Sequence, residues 1–112
     1  GCAAILVSHH HGRIPFGVAP VMVLPKIKAA LEGSGIAIFV DCGIDTGYDA
    51  YKALALGADA VAVGRGILKP LLQQGAEGVE EKVQKMNEQL SELMMYTCVK
   101  DIRSFDASVL YI

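Results

Sequence analysis

The chain has 112 residues, 53% of them hydrophobic and 20% charged, which is the composition of an ordinary globular chain of about one domain and excludes a disordered, collagenous or coiled-coil one. Its 10 basic and 12 acidic side chains give a formal net charge of -2, so the basic surplus that attracts nucleic acid or an anionic membrane surface is missing, and neither partner is expected. The longest purely apolar runs, such as Ala3 to Val7 and Ile36 to Val40, fall far short of the roughly 20 residues that cross a bilayer.

Three stretches read as strands: Ala3 to Val7, Ile36 to Val40 and Ala60 to Val63. Each is a short apolar run without polar alternation, the pattern of a parallel sheet buried on both faces, and helices are therefore expected between them. Val21 to Glu32 suits a helix with Pro25 in its early turns and Gly33 as its stop. Thr46-Gly-Tyr-Asp49 suits a capping box, in which the Thr oxygen accepts from the amide three residues on and the carboxylate reaches back. Tyr48 to Leu56 then forms the second helix, closed by Gly57.

After the third strand, Ile67 to Leu72 predicts a short helix interrupted by Gln73-Gln-Gly75. From Ala76 to Cys98 a long helix sets Val79, Val83, Met86, Leu90, Leu93 and Met94 on one stripe, which is expected to pack in the core. The tail from Val99 to Ile112 has no period, and only Phe105, Leu110 and Tyr111 are expected to dock. The repeated strand-helix order fits either a doubly wound sheet or part of a (β/α)8 barrel, which needs eight such units and about 250 residues. Three units cannot close a barrel. The outer strands carry no charge or proline to guard them as exposed edges, so they are expected to pair with strands this chain does not contain.

The three cysteines, Cys2, Cys42 and Cys98, form no C-x-x-C pair and cannot all be bridged. This argues against a disulfide framework or a zinc site and for a reducing, cytoplasmic compartment. The chain opens Gly-Cys with neither a basic n-region nor a long apolar h-region, so no signal peptide is expected, and it is expected to begin inside a longer gene product.

Polar residues and glycines gather at the carboxyl end of every strand: Ser8-His-His-His-Gly-Arg13, Asp41-Cys-Gly43 and Gly64-Arg-Gly66. Ligands bind at that end of parallel α/β sheets, so the three clusters should face one pocket. The connection from Ser8 to Pro20 is longer than the two to six residues usual between strand and helix, and it holds all three histidines. An imidazole titrates near neutrality and can take a proton, and Arg13 offers a forked donor for a carboxylate. A run of histidines can also be a solvated loop or a tag remnant, but a tag would not follow a buried strand or precede Gly-Arg. In the third cluster Gly64 lets a backbone amide approach an anion, Arg65 supplies charge and Gly66 leads into a short helix. A tight turn from strand to helix would use the same glycines.

Taken in this order and spacing, the motifs resemble the FMN-dependent α-hydroxy acid dehydrogenases and oxidases, over roughly Gly1 to Lys100. The S-N-H-G-G-R pattern of that family stands as Ser8-His9-His10-His11-Gly12-Arg13, and D-G-G-x-R-x-G as Asp41 to Gly47. K-A-L-A-L-G-A stands at Lys52 to Ala58, V-G-R at Val63 to Arg65 and G-A-E-G-V at Gly75 to Val79.

The resemblance implies strands six to eight of a flavin-binding (β/α)8 TIM barrel with the last helix, so that residues 1–112 form its C-terminal part. It implies FMN as cofactor, His10 as the active-site base and Arg13 as the holder of the substrate carboxylate. Ser8 and Asp41 then belong to the flavin site, with Asp41 on the ribityl chain and Gly43, Gly64 and Arg65 around the phosphate. No metal site is implied. The implied reaction is oxidation of a small L-2-hydroxy acid, lactate-like, to the 2-keto acid, by an enzyme that needs the upstream part of the barrel and is expected to be a homo-oligomer when complete. The fragment alone is expected to be inactive.

Four departures from the pattern bear on the site. His9 replaces Asn, His11 and Cys42 replace glycines, and Asp45 stands where a phosphate-binding arginine is usual. The alternative readings are a related phosphate-binding flavin or nucleotide barrel, such as a type 2 isopentenyl diphosphate isomerase or inosine monophosphate dehydrogenase, and a non-catalytic module that pairs with another chain. The His10/Arg13 pair argues against the former.

Overall fold

A computed structural model describes residues 1–112. The elements run β1 (Ala4–Val7), α1 (Pro20–Ala30), β2 (Ala37–Val40), α2 (Gly47–Ala55), β3 (Ala60–Val61), a 3-10 turn at Arg65–Ile67, α3 (Leu68–Tyr96) and a second 3-10 turn at Ala107–Val109. The three strands are parallel in the order β1-β2-β3, with Ala4 opposite Ala37, Val7 opposite Val40 and Phe39 opposite Ala60. The strand expected over Ala60 to Val63 pairs over its first two residues only, because the chain turns away at Gly64 toward the 3-10 turn.

Local chemistry sets the helix limits. Pro20 stands in the first turn of α1, where its missing N–H costs nothing, and Gly33 follows the helix at φ 74°. The expected capping box opens α2: Thr46 Oγ1 accepts from the Asp49 amide at 3.2 Å, and Asp49 Oδ2 accepts from the Thr46 amide at 3.0 Å. At Gly75 the backbone takes φ 65° and ψ -144°, so α3 is two helices in one, and the break falls where Gln73-Gln-Gly75 interrupts the pattern.

The helices cover one face of the sheet. Val7, Ile38 and Val40 point to the same side and form one cluster with Leu24 of α1, Ala50 and Ala53 of α2 and Met86 of α3. Full burial of a side chain such as Leu24 contributes about 1.5–3 kcal/mol. Leu6 and Phe39, opposite one another on the other face, are 53% and 41% exposed. The sheet is therefore not buried on both faces, as its apolar strands predicted. A doubly wound sheet would carry helices on both sides; an arc of barrel wall carries them on the outside alone. The radius of gyration, 14.7 Å, exceeds the ~13 Å of a compact domain of this length.

Two further expectations are corrected. Of the stripe on α3 only Met86 is buried and Val83 is 45% exposed, because α2 is the main neighbour of that helix and covers part of its face. In the tail Phe105 does dock, meeting Tyr51 edge-on with ring centroids 5.1 Å apart, but Tyr111 is fully exposed. No helix is long and apolar enough to cross a membrane. All three cysteines are free.

Candidate functional site

The carboxyl ends of the three strands meet at a concavity of about 490 Å³, lined by His10, His11, Asp41, Cys42, Gly43, Ile44, Asp45, Ala62, Gly64, Arg65 and Gly66. Parallel pairing causes this convergence, since it puts every loop that follows a strand at the same end of the sheet. Of the residues singled out from sequence, His10, Asp41, Gly43, Gly64 and Arg65 line the concavity. Ser8 stands behind it, and its Oγ accepts the His10 amide at 3.2 Å. Arg13 does not line it: its side chain is exposed, while its amide donates to the His9 carbonyl at 3.2 Å and closes the turn.

That turn is tight. His10 and His11 take left-handed φ values of 54° and 59°, so the segment is not the extended continuation of β1 that would send successive side chains to opposite sides. Both histidines therefore reach the concavity, whereas His9 is used internally, its Nδ1 accepting the Gly12 amide at 3.0 Å. A left-handed non-glycine residue costs on the order of 1–2 kcal/mol, and Cys42, across from this turn, pays the same at φ 66°.

Cys42 ties the first two loops together. Its Sγ accepts the His11 amide at 3.2 Å, donates to Asp41 Oδ1 at 2.9 Å and lies 3.6 Å from Ser8 Oγ. Partial burial pushes the Asp41 carboxyl up, but the hydrogen bonds from Cys42 and Ser8 and the nearby His10 and His9 outweigh it and hold the group below the ordinary carboxylate range. Asp41 is thus an ionised acceptor at neutral pH, suited to hydroxyl groups of a ligand.

The other end of the concavity combines open backbone with a cation. An added Cβ at Gly43 or Gly64 would meet nothing within 4 Å, so a ligand can approach the backbone at both. Arg65 supplies a cation. Asp45 would oppose an anion, yet it is not an isolated charge: Lys82 of α3 donates to the Asp45 carbonyl at 2.6 Å and to its carboxylate at 3.2 Å. The Asp45 carboxylate also lies over Gly66, where an added Cβ would have to push it aside. Sequence reasoning found Asp45 but not Lys82, because 37 residues separate them and only the packing of α3 on α2 joins them.

The open glycines, the cation and the ionised acceptor fit a phosphate joined to a polyol, which is the chain of FMN. The whole of residues 1–112 matches a family model described as FMN-dependent dehydrogenase. The L-lactate oxidase of Lactobacillus jensenii is 40% identical over 110 residues, covering 95% of this chain and 27% of that protein. The human 2-hydroxyacid oxidase 1 is 39% identical over 110 residues, covering 97% and 30%. Among solved structures, a mandelate oxidase variant with a monooxide FMN adduct superposes with a TM-score of 0.80 at 39% identity over 84% of this chain and 30% of that one. A flavocytochrome b2 with pyruvate bound gives 0.90 at 31% identity over 96% and 29%. The chain therefore spans less than a third of the length of the relatives it matches.

Proposed function

Because this chain belongs to the FMN-dependent dehydrogenase family, we propose that it forms strands six to eight and the last helix of a (β/α)8 barrel that oxidises a small L-2-hydroxy acid, lactate-like, to the 2-keto acid. The single observation that carries this reading is the convergence of His10, Asp41, Gly43, Gly64 and Arg65 on one concavity at the carboxyl end of a parallel sheet. The relatives named as oxidases of lactate and 2-hydroxy acids support the substrate class. The one-sided helical cover and the unpaired edges of β1 and β3 support a missing partner of the same architecture, which is the upstream part of the barrel.

In this reading each residue does a separate job. FMN, when bound, supplies the acceptor for the two electrons and the hydrogen that leave the α-carbon. Arg65 and the open backbone at Gly43 and Gly64 hold its phosphate, and Asp41, with Ser8 behind it, accepts hydrogen bonds from the ribityl hydroxyls. His10, on the wall of the concavity, takes the proton that the substrate hydroxyl loses, acting as the general base. Arg13 receives the substrate carboxylate through its guanidinium fork, a task for which its exposed position at the end of the histidine turn leaves it free. Free cysteines and the absence of a helix that could cross a membrane are compatible with a cytoplasmic enzyme. Homo-oligomerisation through surfaces outside this chain is part of the same proposal.

The test is steady-state oxidation of a panel of 2-hydroxy acids by the complete polypeptide and by its three single histidine variants. His10→Ala should lower turnover by on the order of 10² or more, as for loss of a general base, while His9→Ala and His11→Ala retain it within about tenfold. Turnover kept by His10→Ala and abolished by His11→Ala would transfer the role to the neighbour in the same turn. A wild-type protein whose flavin no 2-hydroxy acid reduces would overturn the reaction class.

A further inference from the structure

We propose that Cys42 is a positioning residue: its thiol fastens the histidine turn to the end of β2 and thereby sets the direction of the His10 ring. The role assigned to His10 rests on the function proposed above, whereas the fastening stands on geometry alone. Cys42 bridges two loops that are 31 residues apart in the chain. On one side it accepts the amide of His11, and on the other it donates to the carboxylate of Asp41. Ser8, which holds the amide of His10, lies 3.6 Å from the same sulfur. Both left-handed histidines are thus anchored by their amides to one hub of Ser8, Cys42 and Asp41.

The backbone at Cys42 is strained as well. Its φ of 66° is one that glycine adopts at no cost, whereas a residue with a Cβ is strained there, and the hydrogen bonds of the Cys42 side chain offset that strain. His11 carries the same strain at 59°. The two strained residues contact one another through the His11 N–H and the Cys42 sulfur, so the strain on each loop is offset at a shared hydrogen bond. Cys2 and Cys98, by contrast, are exposed and take part in no such contact. The thiol suits the hub because it accepts the His11 amide and donates its own proton to Asp41 at the same time.

The experiment uses the complete polypeptide and two readouts. The first is hydrogen-deuterium exchange over residues 8–13 in the FMN-free protein, which needs no turnover. Cys42→Ala should raise exchange at the His10 and His11 amides about tenfold, the effect of losing one hydrogen bond. Cys42→Gly, which relieves the backbone strain and so guards against misfolding, should raise it equally. Cys42→Ser, which can still donate and accept, should recover most of the protection. The second readout is kinetic: the alanine and glycine variants should lose about tenfold in kcat with KM changed by less than about twofold, because a misdirected base slows the chemical step and leaves carboxylate binding in place. Unchanged exchange over 8–13 in both the alanine and glycine variants would overturn the proposal, as would equal losses in the serine and alanine variants, which would assign the effect to bulk. If the wild-type protein oxidises no 2-hydroxy acid, the role of His10 fails while the exchange measurement still decides whether Cys42 fastens the turn.

Discussion

Asp45→Asn tests the charge balance at the anion end of the concavity. The side chain is 64% exposed and its partner Lys82 23% exposed, so their mutual attraction is screened and contributes at most about 1 kcal/mol to stability. Its effect on a phosphate is larger in proportion, because the phosphate of FMN carries close to two charges. Two unit charges about 6 Å apart in a water-like dielectric interact by ~0.7 kcal/mol, so a dianion at that range feels ~1.4 kcal/mol of repulsion from Asp45, about tenfold in affinity. Removing the charge while keeping the shape should therefore tighten FMN by up to about tenfold in the complete protein. Lys82→Met should loosen it by a similar factor, since it exposes the phosphate to an unbalanced carboxylate. Asp45→Arg is a poorer test, because the new cation would face Lys82. Fluorescence quenching of titrated FMN at low salt measures the change, and at 1 M salt, where the screening length is about 3 Å, the differences should nearly vanish. Unchanged affinity of Asp45→Asn at low salt would refute the reasoning and place the phosphate away from this rim.

Gly47→Ala should destabilise the complete protein by about 1–3 kcal/mol or more in urea unfolding, because a Cβ there would run into the Met86 carbonyl, the Leu90 amide and Gln89 of α3. Thr46→Ala, measured the same way at pH 7, should cost about 1 kcal/mol through loss of the cap on α2. Asp49 gives a pH signature: partial burial pushes its carboxyl up, but hydrogen bonds from the Thr46 side chain and the Asp45 and Thr46 amides, with Lys52 nearby, outweigh this and hold it below the ordinary range. Its contribution is present above the usual carboxylate pKa of about 3.9 and is lost as pH falls through the lowered folded value, so the stability gap between wild type and Asp49→Asn should shrink in acid unfolding.

Patterns confined to a few neighbouring residues were legible in the sequence. The Thr46/Asp49 capping box, the stop at Gly57 and the break at Gly75 depend on adjacent backbone groups alone, and all three are present. The convergence of three polar clusters followed from parallel pairing, which apolar strands without alternation made readable. What could not be read is contact across the chain. The left-handed turn aims both His10 and His11 at the concavity, and nothing in Ser8 to Arg13 announces that geometry. Lys82 falls three residues after Val79 and four before Met86, on the face of α3 that turns toward α2, but nothing in the sequence names Asp45 as its partner. The apolar strands implied cover on both faces, but a run of apolar residues does not say which element supplies that cover, and Leu6 and Phe39 have none within these residues.

That uncovered face has a kinetic meaning during biosynthesis and refolding. Two free parallel edges and a bare apolar surface can be satisfied in two ways: by complementary strands of the proposed barrel, or by another copy of the same sheet. Joining to a tethered neighbour is first order and independent of protein concentration, whereas joining to a second copy is bimolecular and gains with it. Dilution, or simultaneous supply of the complementary strands, should therefore steer the segment toward the productive pairing, and crowded refolding of the segment by itself should steer it toward stacked sheets.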